Sequence, residues 1–143
     1  MSKSNVTEND YVKFVANTVT MPNYGTNLYM HLHTGDPGEA GVSSTNEAAY
    51  TSYARVTTLR DNTAWTICDS NGTPNADGSC FKNTTPVVFP ECTGVADDED
   101  ETHASICTNG GQILYSGALT APIKITNLST PYFPAGTLIF KED

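Results

Sequence analysis

The sequence predicts an all-β domain, and three observations carry that prediction. Threonine is abundant, and 11 glycines and 8 prolines are spread through 143 residues. Threonine fits a pleated, half-exposed surface, while glycine and proline punctuate short strands. Only 16% of the residues are charged and 38% are hydrophobic, a leaner charge content than helix-rich domains carry. Finally, roughly seven to nine short apolar or alternating runs recur with turn signals about every 8–12 residues, the pattern of a β-sandwich or barrel. The length suits a single domain over residues 1–143.

Residues 1–6 read as disordered. Thr7 is placed to cap a helix over about 8–19, with Asp10 three residues on and Glu8 in the first turn. Tyr11, Phe14, Val15 and Val19 recur at i, i+3, i+4 and i+8, which makes one apolar stripe, and Pro22 closes the segment. This is the only substantial helix expected. Its stripe either covers one end of the sheet core or belongs to an N-terminal arm, residues 1–20, that docks on a neighbour. Leu28–Leu32 then alternates, sending Leu28, Met30 and Leu32 to one face and Tyr29, His31 and His33 to the other. Gly35-Asp36-Pro37-Gly38 is a dense turn signal. Order returns at Tyr50–Val56, with strands expected at 54–59, 63–68, 81–89, 103–107, 112–119, 123–125 and near the C-terminus. Segment 69–79 reads as a surface loop, and the acidic run Asp97–Glu101 as a solvated one, since it lacks the spacing of a calcium loop.

The formal net charge is −9, with seven Lys and Arg in total. No basic stripe exists to neutralise phosphates, so nucleic acid is not an expected partner. Repulsion disfavours anionic membrane surfaces, and no apolar run approaches a membrane span. The N-terminus has no secretory signal pattern, so synthesis in the cytosol is expected. Cys68, Cys80, Cys92 and Cys107 lack the close spacing of zinc sites. Each consecutive pair flanks a polar loop, which leaves two alternatives: disulfides, or buried free thiols acting as small apolar residues.

His31 and His33 share a strand face, a geometry able to chelate a metal. The surroundings resemble the first cupin motif in part: Gly25, five residues, then His-x-His. Glu39 sits off register for the third ligand, and Pro134-Ala135-Gly136 is not followed by the histidine a second motif needs. No nucleophile elbow and no phosphate-cradling glycine loop is present. No catalytic residue, metal or cofactor is expected, and the histidine face reads as outward or interfacial. Arg55, one of two arginines, is expected to be held by a carboxylate, with Glu47 nearest in sequence.

Five ordered pieces carry a resemblance: LHTGDPGEAG at 32–41, TSYARV at 51–56, VVFPECTG at 87–94, LYSGALTAPIKITN at 114–127 and PYFPAGTLIF at 131–140. Together they resemble a family of small structural virion proteins of tailed bacteriophages, described as head-decoration (cement) or tail-fibre-like proteins. The likeness runs from about residue 10 to 140 and departs in two longer loops, 69–80 and 94–103. It implies a jelly-roll-like antiparallel β-sandwich with one N-terminal amphipathic helix. It also implies a virion location and a cement role on the major capsid protein, the chain itself forming a homo-oligomer, with a trimer favoured. A tail-fibre or receptor-binding module is the alternative. The expected subunit or capsid contacts are Tyr11, Phe14, Val15, Tyr50, Tyr53 and Arg55.

Overall fold

The computed structural model describes residues 1–17 and 19–142. Ten strands and one helix follow in order: β1 (Ser2–Lys3), α1 (Asn5–Ala16), β2 (Asn27–His33), β3 (Val56–Leu59), β4 (Trp65–Cys68), β5 (Cys80–Asn83), β6 (Val87–Val88), β7 (Glu99–Cys107), β8 (Ile113–Ile125), β9 (Tyr132–Phe133) and β10 (Ile139–Lys141). They form an all-β sandwich with one N-terminal helix. A five-stranded sheet, β1-β8-β7-β2-β3, opposes a three-stranded sheet, β10-β5-β4, and a β6-β9 pair. All strand pairings are antiparallel.

Register explains the two faces of the large sheet. Met30 pairs with Ile106 and Leu32 with Ala104, so apolar residues of β2 and β7 line the inner face. His31 pairs with Ser105 and His33 with His103, which puts a polar set on the opposite face. Facing the apolar layer is an aromatic cluster from the smaller sheet. Phe81 and Phe140 stack at 4.9 Å, Trp65 meets Phe140 edge-on at 5.8 Å, and Tyr115 of β8 reaches Phe140 at 5.9 Å. These are the offset and edge-to-face arrangements that the ring quadrupoles favour. Tyr115 therefore ties the five-stranded sheet to the three-stranded one.

Four sequence expectations are corrected. Residues 2–3 are not disordered, because Ser2 and Lys3 pair with Ser116 and Tyr115 as an edge strand. The helix starts earlier and ends earlier than 8–19. Ser4, not Thr7, is its N-cap, accepting from the Thr7 amide, while the Thr7 hydroxyl donates to the Ile113 carbonyl at 3.1 Å. The run 81–89 divides into β5 and β6.

The fourth correction concerns residues 97–101. Glu99–Glu101 open β7, paired with Ile123–Ile125, and Glu101 is fully buried. Lys124, across the ladder from Asp100, pairs with Asp98 and stands 3.5 Å from Asp100. β8 also runs straight through Pro122. The proline falls in the register shift between the Glu101 and His103 pairings. Beyond the two residues covered by β1, the outer side of β8 is a free edge, where a missing N–H is tolerated. Of the cysteines, Cys68 and Cys80 form a disulfide across the 69–79 loop, whereas Cys92 and Cys107 are free and buried.

Candidate functional site

Two regions hold the residues singled out by the sequence. The first is the polar face of β2. His31 and His33 are not outward or interfacial: both are wholly buried, because segment 34–55 folds back over them. Asp36, Pro37 and Gly38 turn the chain, and the Thr34 and Ala48 amides return to Asn46 and Leu32 carbonyls at 2.8 and 2.9 Å. That return brings Glu47 onto the histidine face. Glu47 is the hub. Arg55 donates to it through Nε and Nη2, each at 2.8 Å, and the Tyr53 hydroxyl donates at 3.2 Å. The expected Arg55–Glu47 pair is thus present and bidentate, the geometry a guanidinium supports and an ammonium does not.

His31 Nδ1 stands 3.0 Å from Glu47 Oε1, yet off the line of a hydrogen bond, so neither ring nitrogen has a hydrogen-bond partner. Burial pushes its pKa down to about 4, against the opposing pull of Glu47; the ring is neutral at neutral pH. His33 is better satisfied. Its Nδ1 lies 3.0 Å from the Thr45 carbonyl and its Nε2 2.7 Å from Ser105 Oγ. With Nδ1–H donating to Thr45, Nε2 accepts from the Ser105 hydroxyl. That is the disposition of a general base and a hydroxyl nucleophile, but His33 and Ser105 are both 0% exposed. A substrate carbonyl has no path to Ser105. The contacts account for the pair as a packing element, with Cys107 Sγ 3.3 Å beyond Ser105 and its thiol pKa pushed up to about 12 by burial.

The cupin-like reading meets the same geometry. Glu39 is exposed, its carbonyl bound by the Asn5 amide, and does not join the histidines. Among the described residues, no group of three or more His, Cys, Asp and Glu is arranged to hold a metal ion.

The clamp makes a measurable prediction. Arg55→Lys removes the bidentate fork at a side chain that is 42% exposed, so solvent screening keeps the expected loss to about 1 kcal/mol. Urea denaturation at neutral pH checks it. A variant as stable as the wild type contradicts the clamp.

The second region is α1. Its first turn is fastened by Ser4 and Thr7, which are buried and whose hydroxyls both donate to the Ile113 carbonyl, and its second by Asp10, which accepts from Gln112 Nε2 at 3.2 Å and from the Tyr24 hydroxyl at 3.5 Å. The stripe does not cover the core. Tyr11, Val12, Phe14 and Val15 are 53%, 59%, 47% and 65% exposed, and Val19 and Met21 continue the apolar surface. Tyr11 also borders a groove of about 430 Å³ whose walls include Tyr24, Leu28, Arg60 and Phe81. Lys3 sits over the Tyr11 ring at 5.4 Å.

The six expected contact residues therefore separate. Tyr11, Phe14 and Val15 share the exposed helix. Tyr50 is 3% exposed, its hydroxyl donating to the Pro90 carbonyl at 3.0 Å, so it serves the core. The Tyr53 ring stacks on Phe89 at 6.2 Å and its hydroxyl accepts from the Leu32 amide. Arg55 is partly exposed but committed to Glu47. Sequence reasoning missed Ser105 and Glu101. The alternation His103, Ser105, Cys107 was a usable signal only once β2 was known to pair with β7.

Comparison with known proteins gives one family. Residues 2–141 match the family model described as podophage GP4 fiber I protein gp80. No curated protein matches the chain.

Proposed function

The chain belongs to the podophage GP4 fiber I protein gp80 family, and from that premise we propose that it is a fibre subunit held to its neighbours through α1. The coarser conclusion, a structural protein of a phage virion, follows from the family match over nearly the whole chain. The finer one is supported by a single observation: the apolar residues of the only described helix face outward. A helix whose apolar stripe is uncovered must find its cover elsewhere. Each half-exposed Val, Phe or Tyr gains roughly 1 kcal/mol when a partner covers it. Repetition of such modest contacts around a symmetric assembly gives avidity.

The head-decoration role suggested by the sequence resemblance, with a trimer seated on the major capsid protein, is the second reading. The same uncovered helix would serve it, and the family description favours the fibre. No described helix is long and apolar enough to cross a membrane.

Imaging of purified particles decides between the two. Density for this sandwich in a tail-associated fibre is the expected result. Density distributed over the head shell would replace the fibre reading with the decoration one, and absence from the particle would overturn both.

A further inference from the structure

Among the described residues, Glu101 shares with His31 a fully buried side chain whose polar atoms have no hydrogen-bond partner. It is 0% exposed, and neither carboxyl oxygen receives a hydrogen bond from a donor. An isolated buried carboxylate costs far more than a fold of this size tolerates, so such a group is neutralised by a proton or a partner. Glu99 stands two residues back on the same face of β7, and its carboxyl acts on that of Glu101. Two carboxylates facing each other are acceptors only, and the contact is attractive only when one carries a proton.

Among the described residues, the surroundings offer no alternative counter-charge. On β7 itself the neighbours of Glu101 are Glu99 and Asp100, both acidic. From β8, Lys124 is engaged by Asp98 and Asp100, and the residues paired with Glu101 and Glu99 are Ile123 and Ile125. From segment 48–52 comes Tyr50, whose own ionisation is pushed up by burial and by Glu101. From segment 92–97 come Cys92 and Asp97, the thiol donating to Asp97 Oδ2 at 3.3 Å.

The same acidic run holds the covering segment in place. Glu99 Oε1 accepts from the Ala49 amide at 2.9 Å, and Asp97 Oδ2 from the Thr51 amide at 2.6 Å. Fastened between them is Tyr50, a core residue. We propose that Glu99 and Glu101 are a proton-sharing carboxyl pair that locks segment 48–52 onto the start of β7, and that loss of the shared proton releases that segment.

The direction of the pH effect follows. Burial and the neighbouring acids push the Glu101 pKa up to about 9, above the ordinary carboxylate value of an unfolded chain. The native state therefore keeps a proton that the released state gives up. The lock is complete at low pH and is lost as pH rises through about 9.

Amide hydrogen exchange at Ala49 and Thr51 tests this, followed between about pH 6 and 10 and corrected for intrinsic exchange. The wild-type protection factors are expected to fall by up to tenfold per pH unit as pH rises towards about 9, and to level off above it. In Glu101→Gln, which keeps the shape and cannot ionise, they are expected to stay level. Parallel profiles for the two proteins would overturn the proposal. So would recovery of wild-type protection at alkaline pH on adding calcium, which would assign neutralisation to a cation. If Glu101→Gln does not fold, the carboxyl carbon of Glu101 in the wild type decides by NMR. Titration far above the ordinary carboxylate range supports the shared proton, and an ordinary titration refutes it.

Discussion

Phe140→Ala is expected to lower the free energy of unfolding by about 3–5 kcal/mol, the range for deleting a fully buried aromatic ring. Phe140 is 0% exposed and sits where the two sheets meet. It stacks on Phe81 of β5, meets Trp65 of β4 edge-on, and touches Tyr115 of β8. Each aromatic contact adds about 0.5–1.5 kcal/mol beyond area burial, and the cavity left behind adds its own penalty. The loss should be near the top of the range because β10 is a three-residue edge strand with little else to hold it. Chemical denaturation measures it as a lower midpoint at an unchanged slope. A loss below about 1 kcal/mol would mean that the aromatic cluster is not what joins the sheets.

The second large effect is on acid stability. Burial holds the His31 pKa down to about 4, against an ordinary value near 6.5. Between those values the unfolded chain takes up a proton that the native protein refuses. Stability that is full above pH ~6.5 is therefore lost progressively as pH falls towards the folded pKa. From pH 7 to 4.5 this single ring accounts for about 2–3 kcal/mol. His33 is depressed in the same direction by burial and adds to the loss. Glu101 has the opposite sign, since its raised pKa makes the native state the stronger proton binder between the ordinary carboxylate range and about 9. The total curve mixes these terms, but a variant isolates one. His31→Leu, which removes the ionisable ring, should lose about 2–3 kcal/mol less than the wild type over that interval. Equal losses in the two proteins would contradict the assignment of acid lability to His31.

The strands were legible where burial on one face imposed alternation. Leu28, Met30 and Leu32 marked β2, and the turn at residues 35–38 marked its end. The Arg55–Glu47 pair was legible too, because its partners are close in sequence. What escaped was decided by distant segments. The acidic residues 99–101 look solvated until the β8 ladder is placed beside them. The histidines look outward until segment 34–55 is laid over them. Periodicity marked the helix stripe as apolar but did not say what covers it, so a core face and a docking arm both stayed open. Ser4 rather than Thr7 is the cap because the helix begins at Asn5, which places the Thr7 amide where it donates to the Ser4 hydroxyl oxygen.

The central claim, that the uncovered face of α1 seats this subunit in the virion, is tested most directly by occupancy. Phe14→Ser combined with Val15→Ser changes two exposed side chains and none of the Ser4 and Thr7 anchors. The variant should fold with stability within about 0.5 kcal/mol of the wild type. When both proteins are supplied together during particle assembly, it should be incorporated at least about tenfold less, the loss expected from removing roughly 1–2 kcal/mol of contact at each seat. Equal incorporation of variant and wild type would contradict the claim.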